Sequence, residues 1–304
     1  MGKASRTKVE VNRREKIAAQ RVAARRAEQR RRIFIAGGSI LAVVVIVLVF
    51  VVVKLNSSSA PKATGSNGPT GTALTAVVNN VTNVPASTLN SVGAGSGVVT
   101  VLPTTVSGHP AALTANGKPE MFYEGAEYCP YCGAERWGMI VALSRFGTFS
   151  GLHTVHSSSS DIYPNTPSWS FYQSTYTSKY LTFTPVEVAT NIPSTAADNV
   201  NGYSPLQTMT AAQTALAVKY SDGGGIPFID FGNKYLVTEV NYSPQVLAGL
   251  SWSTVASDLS NPSSTVAKGV DGTANYITAA ICGLTGNQPA SACTPTVKAL
   301  ESQI

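Results

Sequence analysis

Positive charge is scarce in most of this 304-residue chain, although the whole carries a formal net charge of +6. Residues 1–32 hold twelve lysines and arginines and three glutamates, so this segment alone carries +9. The remaining residues hold ten basic and thirteen acidic side chains, which give −3. The high isoelectric point therefore belongs to an N-terminal tail, and a nucleic-acid-binding domain is not expected. The sequence also lacks an internal repeat.

Charged side chains are absent from residues 33–53, an apolar run of 21 residues. At about 1.5 Å of rise per residue, such a helix matches a hydrocarbon core of about 30 Å. A cleaved signal peptide is the alternative, but its apolar region is usually about 7–15 residues long and ends at a small-residue cleavage site. The basic residues precede the run, and by the positive-inside rule the N-terminus is cytoplasmic.

These features predict four segments of the chain. Residues 1–32 form a basic cytoplasmic tail, 33–54 a single transmembrane helix of the cell membrane, 55–72 a flexible linker rich in small polar residues, and 73–304 an extracytoplasmic domain. The tail is expected to bind anionic lipid headgroups, at about 1 kcal/mol for each basic residue near the surface. The alternative is that the tail only sets the topology.

The outer domain shows an alternation of strand and helix patterns. Residues 73–101 are interpreted as an entry helix and strand. The apolar spacing then predicts strands at 119–123, 151–156 and 181–189, helices at 134–143, 205–220, 243–259 and 263–282, and a hairpin at 226–240. This order predicts an α/β sandwich.

Cysteine is rare, and the first of its two pairs is Cys129-Pro130-Tyr131-Cys132. The pair follows a predicted strand and opens a predicted helix. The free N–H groups and the dipole at a helix N-terminus favour a thiolate, which makes Cys129 the expected nucleophile. Pro130 has no N–H to lose and suits the first helical turn. Cys132, one turn later, can resolve a mixed disulfide and is expected to be the more buried thiol.

The sequence around this pair fits three other roles poorly. An inert disulfide is a poor use of the spacing, because so small a loop stabilises little and is easily reduced. Zinc binding with His153 and His156 conflicts with their strand pattern, which directs the two rings to opposite faces. Haem attachment needs a histidine where this chain has Gly133. No metal or cofactor is expected.

A second distinctive element is the proline that precedes the predicted hairpin, in Ile226-Pro227. Proline is unfavourable inside a central strand, since it removes a hydrogen bond from the ladder. It becomes reasonable if the Ile226–Pro227 bond is cis and faces the cysteine pair, with the backbone of Ile226 free to pair with a bound chain. The alternative is an ordinary proline at the end of a loop.

These residues resemble the thioredoxin superfamily. More closely, the predicted anchor, the string GAEYCPYCGAERW at 125–137 and CGLTG at 282–286 resemble a prokaryotic membrane-anchored, thioredoxin-like family catalogued as domain of unknown function 929. The resemblance covers the chain from about residue 73 onwards. It implies a thioredoxin-like sandwich with a helical and loop insertion, in which Cys129 attacks, Cys132 resolves and Pro227 is the cis-proline.

The same resemblance suggests auxiliary roles near the dithiol for Tyr131, Ile226 and Glu127, besides Pro130. Many relatives also carry a buried acid six residues before the first cysteine, a position that Tyr123 occupies in this chain.

The second pair, Cys282 and Cys293, is predicted to form a structural disulfide that joins two C-terminal helices. A loop of this size stabilises by about 2–3 kcal/mol. The alternative is a second redox pair that exchanges electrons with the first. An aromatic stretch at 169–180 is interpreted as core, with a substrate groove as the alternative.

We therefore expect a membrane-anchored thiol–disulfide oxidoreductase, of an oxidase or isomerase type, that acts on the thiols or disulfides of exported proteins. A membrane redox partner would complete its cycle. One alternative function is a tethered binding module that keeps the fold but not the chemistry. A second alternative, less favoured, is a zinc site formed by the two cysteines with His153 and His156.

Overall fold

A computed structural model describes residues 68–221 and 224–304 of this chain. The predicted tail, the predicted transmembrane helix and most of the predicted linker lie outside the described residues, so these assignments stay predictions. In the part that is described, no helix is both long enough and apolar enough to cross a bilayer.

Seven α-helices and one short 3-10 helix occur in the described residues. The α-helices are α1 (Gly71–Thr82), α2 (Ala86–Val92), α3 (Pro130–Leu143), α4 (Ala211–Tyr220), α5 (Trp252–Asp258), α6 (Thr265–Leu284) and α7 (Pro295–Glu301), and the 3-10 helix is Pro244–Leu247. Hydroxyl side chains cap the N-termini of α4, α5, α6 and α7, where they accept a hydrogen bond from an otherwise free N–H.

Twelve short strands complete the description. They are β1 (Thr104–Thr105), β2 (Thr114–Ala115), β3 (Lys118–Gly125), β4 (Gly147–Ser150), β5 (His153–His156), β6 (Pro167–Ser170), β7 (Thr175–Ser178), β8 (Thr182–Glu187), β9 (Ala189–Pro193), β10 (Tyr203–Pro205), β11 (Phe228–Phe231) and β12 (Tyr235–Val237).

The main sheet is mixed and has β3 near its centre. Strands β1, β12, β11 and β3 follow one another across the sheet as antiparallel neighbours. Strand β8 pairs with β3 in parallel, while β2 pairs with the start of β3. Three separate two-stranded sheets, β4 with β7, β5 with β6 and β9 with β10, lie outside it. The fold is α/β, as predicted.

Apolar side chains leave β3 on both faces of the sheet, because successive residues of a strand point to opposite sides. Tyr123 belongs to the larger core, together with Trp137 of α3 and Ile277 of α6. Phe122 belongs to a smaller core that also contains Ala217 of α4. Helices therefore cover both faces of the sheet. The chain passes from the end of β3 through a short turn into α3.

Helices α3 and α6 pack closely against each other. A Cβ added to Gly138 of α3 would lie 2.6 Å from the methyl carbon of Thr273 on α6. The absence of a side chain at Gly138 is what allows this approach, which fixes α3 firmly against the core.

Several predicted boundaries were wrong. The helix predicted for 243–259 is interrupted: the 3-10 helix ends at Leu247, the chain turns through Gly249 at a φ of +71°, and Ser251 caps α5. Residues 73–101 form two helices and no strand of the main sheet; within them, Val99 makes only an isolated bridge.

Two further elements also differ from prediction. Strand β5, within the predicted strand 151–156, pairs with β6 in a separate sheet and not with β3. The helix predicted for 205–220 begins only at Ala211, where Thr210 and Gln213 form a capping box. Pro205, the first residue of the predicted helix, is instead the last residue of strand β10.

Candidate functional site

The cysteine pair lies at the junction between β3 and α3, as the sequence predicted. Cys129 is the N-cap residue of α3, and its sulfur accepts a hydrogen bond from the backbone N–H of Cys132 at 3.3 Å. Pro130 is the first residue of the helix. The Cys129 sulfur thus occupies the position at which a capping oxygen usually stabilises a helix start, and a negative charge there is favourable.

The two thiols differ in burial and acidity. Cys129 is 5% exposed and Cys132 is fully buried. The hydrogen bond between the two thiols lowers the pKa of Cys129, against an opposing effect of burial, and the Cys132 N–H lowers it further. Burial raises the pKa of Cys132 well above its usual value, and the hydrogen bond to Cys129 acts in the same direction. Cys129 is therefore the thiol that ionises first, with Cys132 as its hydrogen-bond donor.

Ile226 and Pro227, which are distant in the sequence, lie close to Cys129 in the structure. The peptide bond between these residues is cis. The Cys129 sulfur lies 3.9 Å from the carbonyl oxygen of Ile226, which can accept the thiol proton. Pro227 leads directly into β11, and β11 is hydrogen-bonded to β3. The sheet therefore brings the predicted proline element beside the sulfur of Cys129.

Two tyrosine pairs surround the start of α3. Tyr128 stacks on Tyr203 with ring centroids 4.2 Å apart, and Tyr131 meets Tyr163 edge-on at 5.8 Å. Asn201 donates a hydrogen bond to the Tyr128 hydroxyl at 2.7 Å. Among the described residues, Tyr131 is one of four large apolar side chains that are exposed. Tyr203 of β10 and Tyr163, between β5 and β6, therefore contact the tyrosines that precede and follow Cys129 in the chain.

A buried ion pair lies beneath the dithiol. Arg136 of α3 and Glu187, the last residue of β8, are both fully buried. The Arg136 Nε donates to Glu187 Oε1 at 2.8 Å, and a second guanidinium nitrogen contacts Glu187 Oε2. A third bond runs from Arg136 to the carbonyl of Ala126 at 2.7 Å. The pair was not among the predicted site residues.

The position six residues before Cys129 holds a buried phenol in place of an acid. Tyr123 is fully buried, and its hydroxyl has no hydrogen-bond partner in the described structure. The guanidinium carbon of Arg136 lies 5.9 Å from the centre of the Tyr123 ring. Desolvation raises the pKa of Tyr123 well above its ordinary value. This side chain therefore stays neutral and is a poor proton acceptor for Cys132.

Comparison with known proteins places this chain in a family. The family described as "Domain of unknown function (DUF929)" matches residues 104–283, which is more than half of the chain. The chain belongs to this family. No curated protein and no solved structure matches it significantly. The matched residues of the DUF929 domain include β3, the cysteine pair, the Ile226–Pro227 element and the Arg136–Glu187 pair.

Three other residues considered in the sequence analysis, Glu127, His153 and His156, also lie in the DUF929 domain. Glu127 donates its backbone N–H to Ala189 at 2.9 Å and helps to hold the turn before Cys129. His153 and His156 lie on β5, where each Nδ1 contacts a nearby backbone carbonyl. No group of three or more His, Cys, Asp or Glu residues in the described ranges is placed to hold a metal ion.

The second cysteine pair forms a disulfide away from this site. Cys282, near the end of α6, is bonded to Cys293, which lies just before α7, and both are buried. The bond joins the two C-terminal helices across the intervening turn. The aromatic stretch at 169–180 is divided: Trp169 and Phe171 are buried in the core, while the tyrosines that follow are only partly buried.

Proposed function

We propose that this protein is a membrane-anchored thiol–disulfide oxidoreductase that acts on exported proteins through Cys129 and Cys132. The observation that carries the proposal is the asymmetry of the pair. Cys129 caps a helix, receives hydrogen bonds at its sulfur and has a lowered pKa, while Cys132 is fully buried behind it with a raised pKa. Attack and resolution require two thiols that differ in this way.

The fold supports the proposal. Strand β3, helix α3 and strand β8 form a parallel unit, and β11 and β12 extend the sheet from the other edge of β3 as an antiparallel hairpin. This order, with the dithiol after β3 and Pro227 before the hairpin, is compatible with the thioredoxin-like sandwich that the sequence resembles. We therefore propose a thioredoxin-like fold with the inserted segments around β4–β7 and β9–β10.

The reaction is an exchange of disulfide bonds. The Cys129 thiolate attacks one sulfur of a partner disulfide, so a Cys129–partner bond forms and the partner's second sulfur leaves as a thiolate that takes up a proton. Cys132 then loses its proton and attacks Cys129. The Cys129–partner bond breaks, and the partner departs with two thiols while Cys129 and Cys132 become a disulfide. The two electrons lost by the dithiol are those gained by the partner.

The same steps in reverse oxidise a partner dithiol and leave Cys129 and Cys132 as thiols. In isomerisation, another thiol of the same partner breaks the Cys129–partner bond, so no net electrons are transferred. We propose oxidation or isomerisation of exported proteins as the working activity. Disulfides persist outside the cytoplasm, which is where the predicted anchor would hold this domain. For oxidation, a membrane protein with a disulfide would then accept the two electrons of the Cys129/Cys132 dithiol and return the pair to its disulfide form.

Exchange with a small neutral disulfide tests the function directly. The full-length chain is incubated with 2-hydroxyethyl disulfide, and adducts are identified by mass. We expect Cys132→Ala to accumulate a stable adduct on Cys129 and the wild type to release it by resolution. Cys129→Ala should form none. The Cys282→Ala/Cys293→Ala variant is the matched control, because it also removes two cysteines, and it should react like the wild type.

Two results would contradict the proposal. One is a Cys132→Ala variant that reacts no faster than an ordinary exposed thiol. The other is full biological function in a Cys129→Ser/Cys132→Ser variant, which would favour the tethered binding module.

A further inference from the structure

The Arg136–Glu187 pair is placed to act on both cysteines. Arg136 lies on α3 four residues after Cys132, which puts the two side chains on the same face of the helix, one turn apart. The guanidinium donates to the carbonyl of Ala126 at 2.7 Å, and that same oxygen accepts the backbone N–H of Cys129 at 3.2 Å. The guanidinium of Arg136 and the backbone N–H of Cys129 therefore share one acceptor, the carbonyl oxygen of Ala126.

The environment of the pair is closed and fully bonded. A further nitrogen of Arg136 donates to the hydroxyl of Ser168 at 3.2 Å, and Glu187 Oε1 also accepts the backbone N–H of Phe171 at 3.3 Å. Both charged side chains are completely buried. In such a low-dielectric place a charge acts on its neighbours far more strongly than it does in water.

A purely structural role explains such a pair poorly. Removing two charges from water costs several kcal/mol per ion, and apolar residues of similar volume often stabilise a core as well or better. The positive charge of Arg136 contributes to the behaviour of both thiols: it lowers the pKa of Cys129, after the larger effects of hydrogen bonding and burial, and it acts against the effect of burial at Cys132.

We propose that the buried Arg136–Glu187 pair is the positioning element that sets the redox potential of the Cys129/Cys132 dithiol. This inference rests on the proposed function, since it concerns the same two sulfurs. Arg136 supplies the positive charge and holds the turn at Ala126. Glu187 fixes the guanidinium and offsets part of its charge.

The direction of the effect follows from the reaction. The disulfide is neutral, and it takes up two electrons and one proton to give one thiolate and one thiol. A nearby positive charge stabilises only the reduced, anionic form, so it makes the pair more oxidising. Neutralising Glu187 exposes the sulfurs to more of the charge of Arg136. Removing both charges does the opposite.

Two variants of opposite sign test the proposal in the full-length chain. The first is Glu187→Gln, and the second is Arg136→Met/Glu187→Met, which leaves no buried unpaired charge. The control is Arg145→Gln. Arg145, two residues after the end of α3, is a half-buried arginine with hydrogen bonds to Asn275, Thr278 and Ala292, but it is not among the charges that act on the cysteines.

The measurements are the equilibrium with glutathione redox buffers and the pH dependence of Cys129 alkylation. For Glu187→Gln we expect an equilibrium constant shifted by about threefold or more towards the dithiol and a lower pKa of Cys129. For the double variant we expect the opposite shifts in both quantities. The Arg145→Gln control should match the wild type in both, whatever its effect on the unfolding midpoint.

The outcomes separate the two proposals. If the wild type equilibrates with glutathione but neither variant changes its potential or its alkylation profile, the pair is only structural and this inference is wrong, while the proposed function stands. Shifts of the same sign in both variants would also overturn it. If the wild type forms no Cys129–Cys132 disulfide in any buffer, the proposed function fails and this inference fails with it.

Discussion

The free energy of unfolding of the domain should depend strongly on pH because of Asp271. This residue lies in α6, is fully buried, and neither of its carboxylate oxygens has a hydrogen-bond partner in the described part of the chain. Burial raises the pKa of Asp271 from 3.8 to about 8. The folded protein therefore keeps this carboxyl protonated at a pH where the unfolded chain has released the proton.

The sign of the effect follows from proton binding. Between the unfolded pKa and the folded pKa, the native state binds more protons than the unfolded state, so the free energy of unfolding falls as the pH rises. The stabilisation that comes from the bound proton of Asp271 is fully present below about pH 4 and is lost as the pH approaches 8. Each pH unit within this window is worth about 1.4 kcal/mol at most. Between pH 5 and 7, Asp271 alone should remove up to about 3 kcal/mol.

Asp271→Asn tests this reasoning, because asparagine has nearly the same shape and cannot ionise. Urea unfolding of the full-length chain is measured at pH 5 and at pH 7. For the wild type, the free energy of unfolding should fall between pH 5 and pH 7. For the variant, we expect this fall to be smaller by up to about 3 kcal/mol. Asp198→Asn is the control, since Asp198 is exposed, and it should follow the wild type.

The difference between variant and wild type is the quantity to compare. Burial raises the pKa of Glu135 to about 8 and that of Asp230 to about 6, and both groups contribute to the same pH range in the wild type. Subtracting the wild-type profile removes those shared contributions. If Asp271→Asn and the wild type lose equal stability between pH 5 and 7, Asp271 is not buried as a neutral acid and the reasoning is refuted.

Two further predictions concern the disulfide and the tyrosine pairs at the start of α3. Cys282→Ala/Cys293→Ala should lower the free energy of unfolding in urea by about 3 kcal/mol, because the bond closes a loop with a sequence separation of 11; a loss below about 1 kcal/mol would show that the bond adds little to the restraint by packing. Tyr163→Ala removes the edge contact to Tyr131. It should slow the reaction of Cys129 with a disulfide-bonded peptide several-fold and leave the reaction of Cys129 with 2-hydroxyethyl disulfide unchanged. Equal slowing of both reactions would mean that Tyr163 supports the helix start and does not contact a partner.

The local features of the site could be predicted because they depend on residues close together in the chain. A strand pattern, a Cys-x-x-Cys and a proline at the first helical position are sufficient to place the sulfur of Cys129 at a helix N-terminus. The hydroxyl residues before α6 and α7 similarly explain where those helices begin. The overall α/β class follows from the same local periodicities.

The interruption of the predicted helix 243–259 shows where this reasoning fails. Apolar spacing continues through the segment, but Gly249 adopts a left-handed conformation and Ser251 starts a new helix. Tertiary packing decides between such alternatives, since helix propensities differ by less than about 1 kcal/mol per residue for most side chains.

The amino-acid sequence by itself determined the dithiol at the start of α3, the charge asymmetry of the chain and the α/β class, since each depends on neighbours along the chain. Only the tertiary structure decided what surrounds the dithiol. Arg136 and Glu187 are 51 positions apart, and Cys129 and Ile226 are 97 apart. Their contacts arise from the pairing of β8 and β11 with β3, and no local pattern specifies that register. The electrostatic environment of the two sulfurs is therefore a property of the folded sheet.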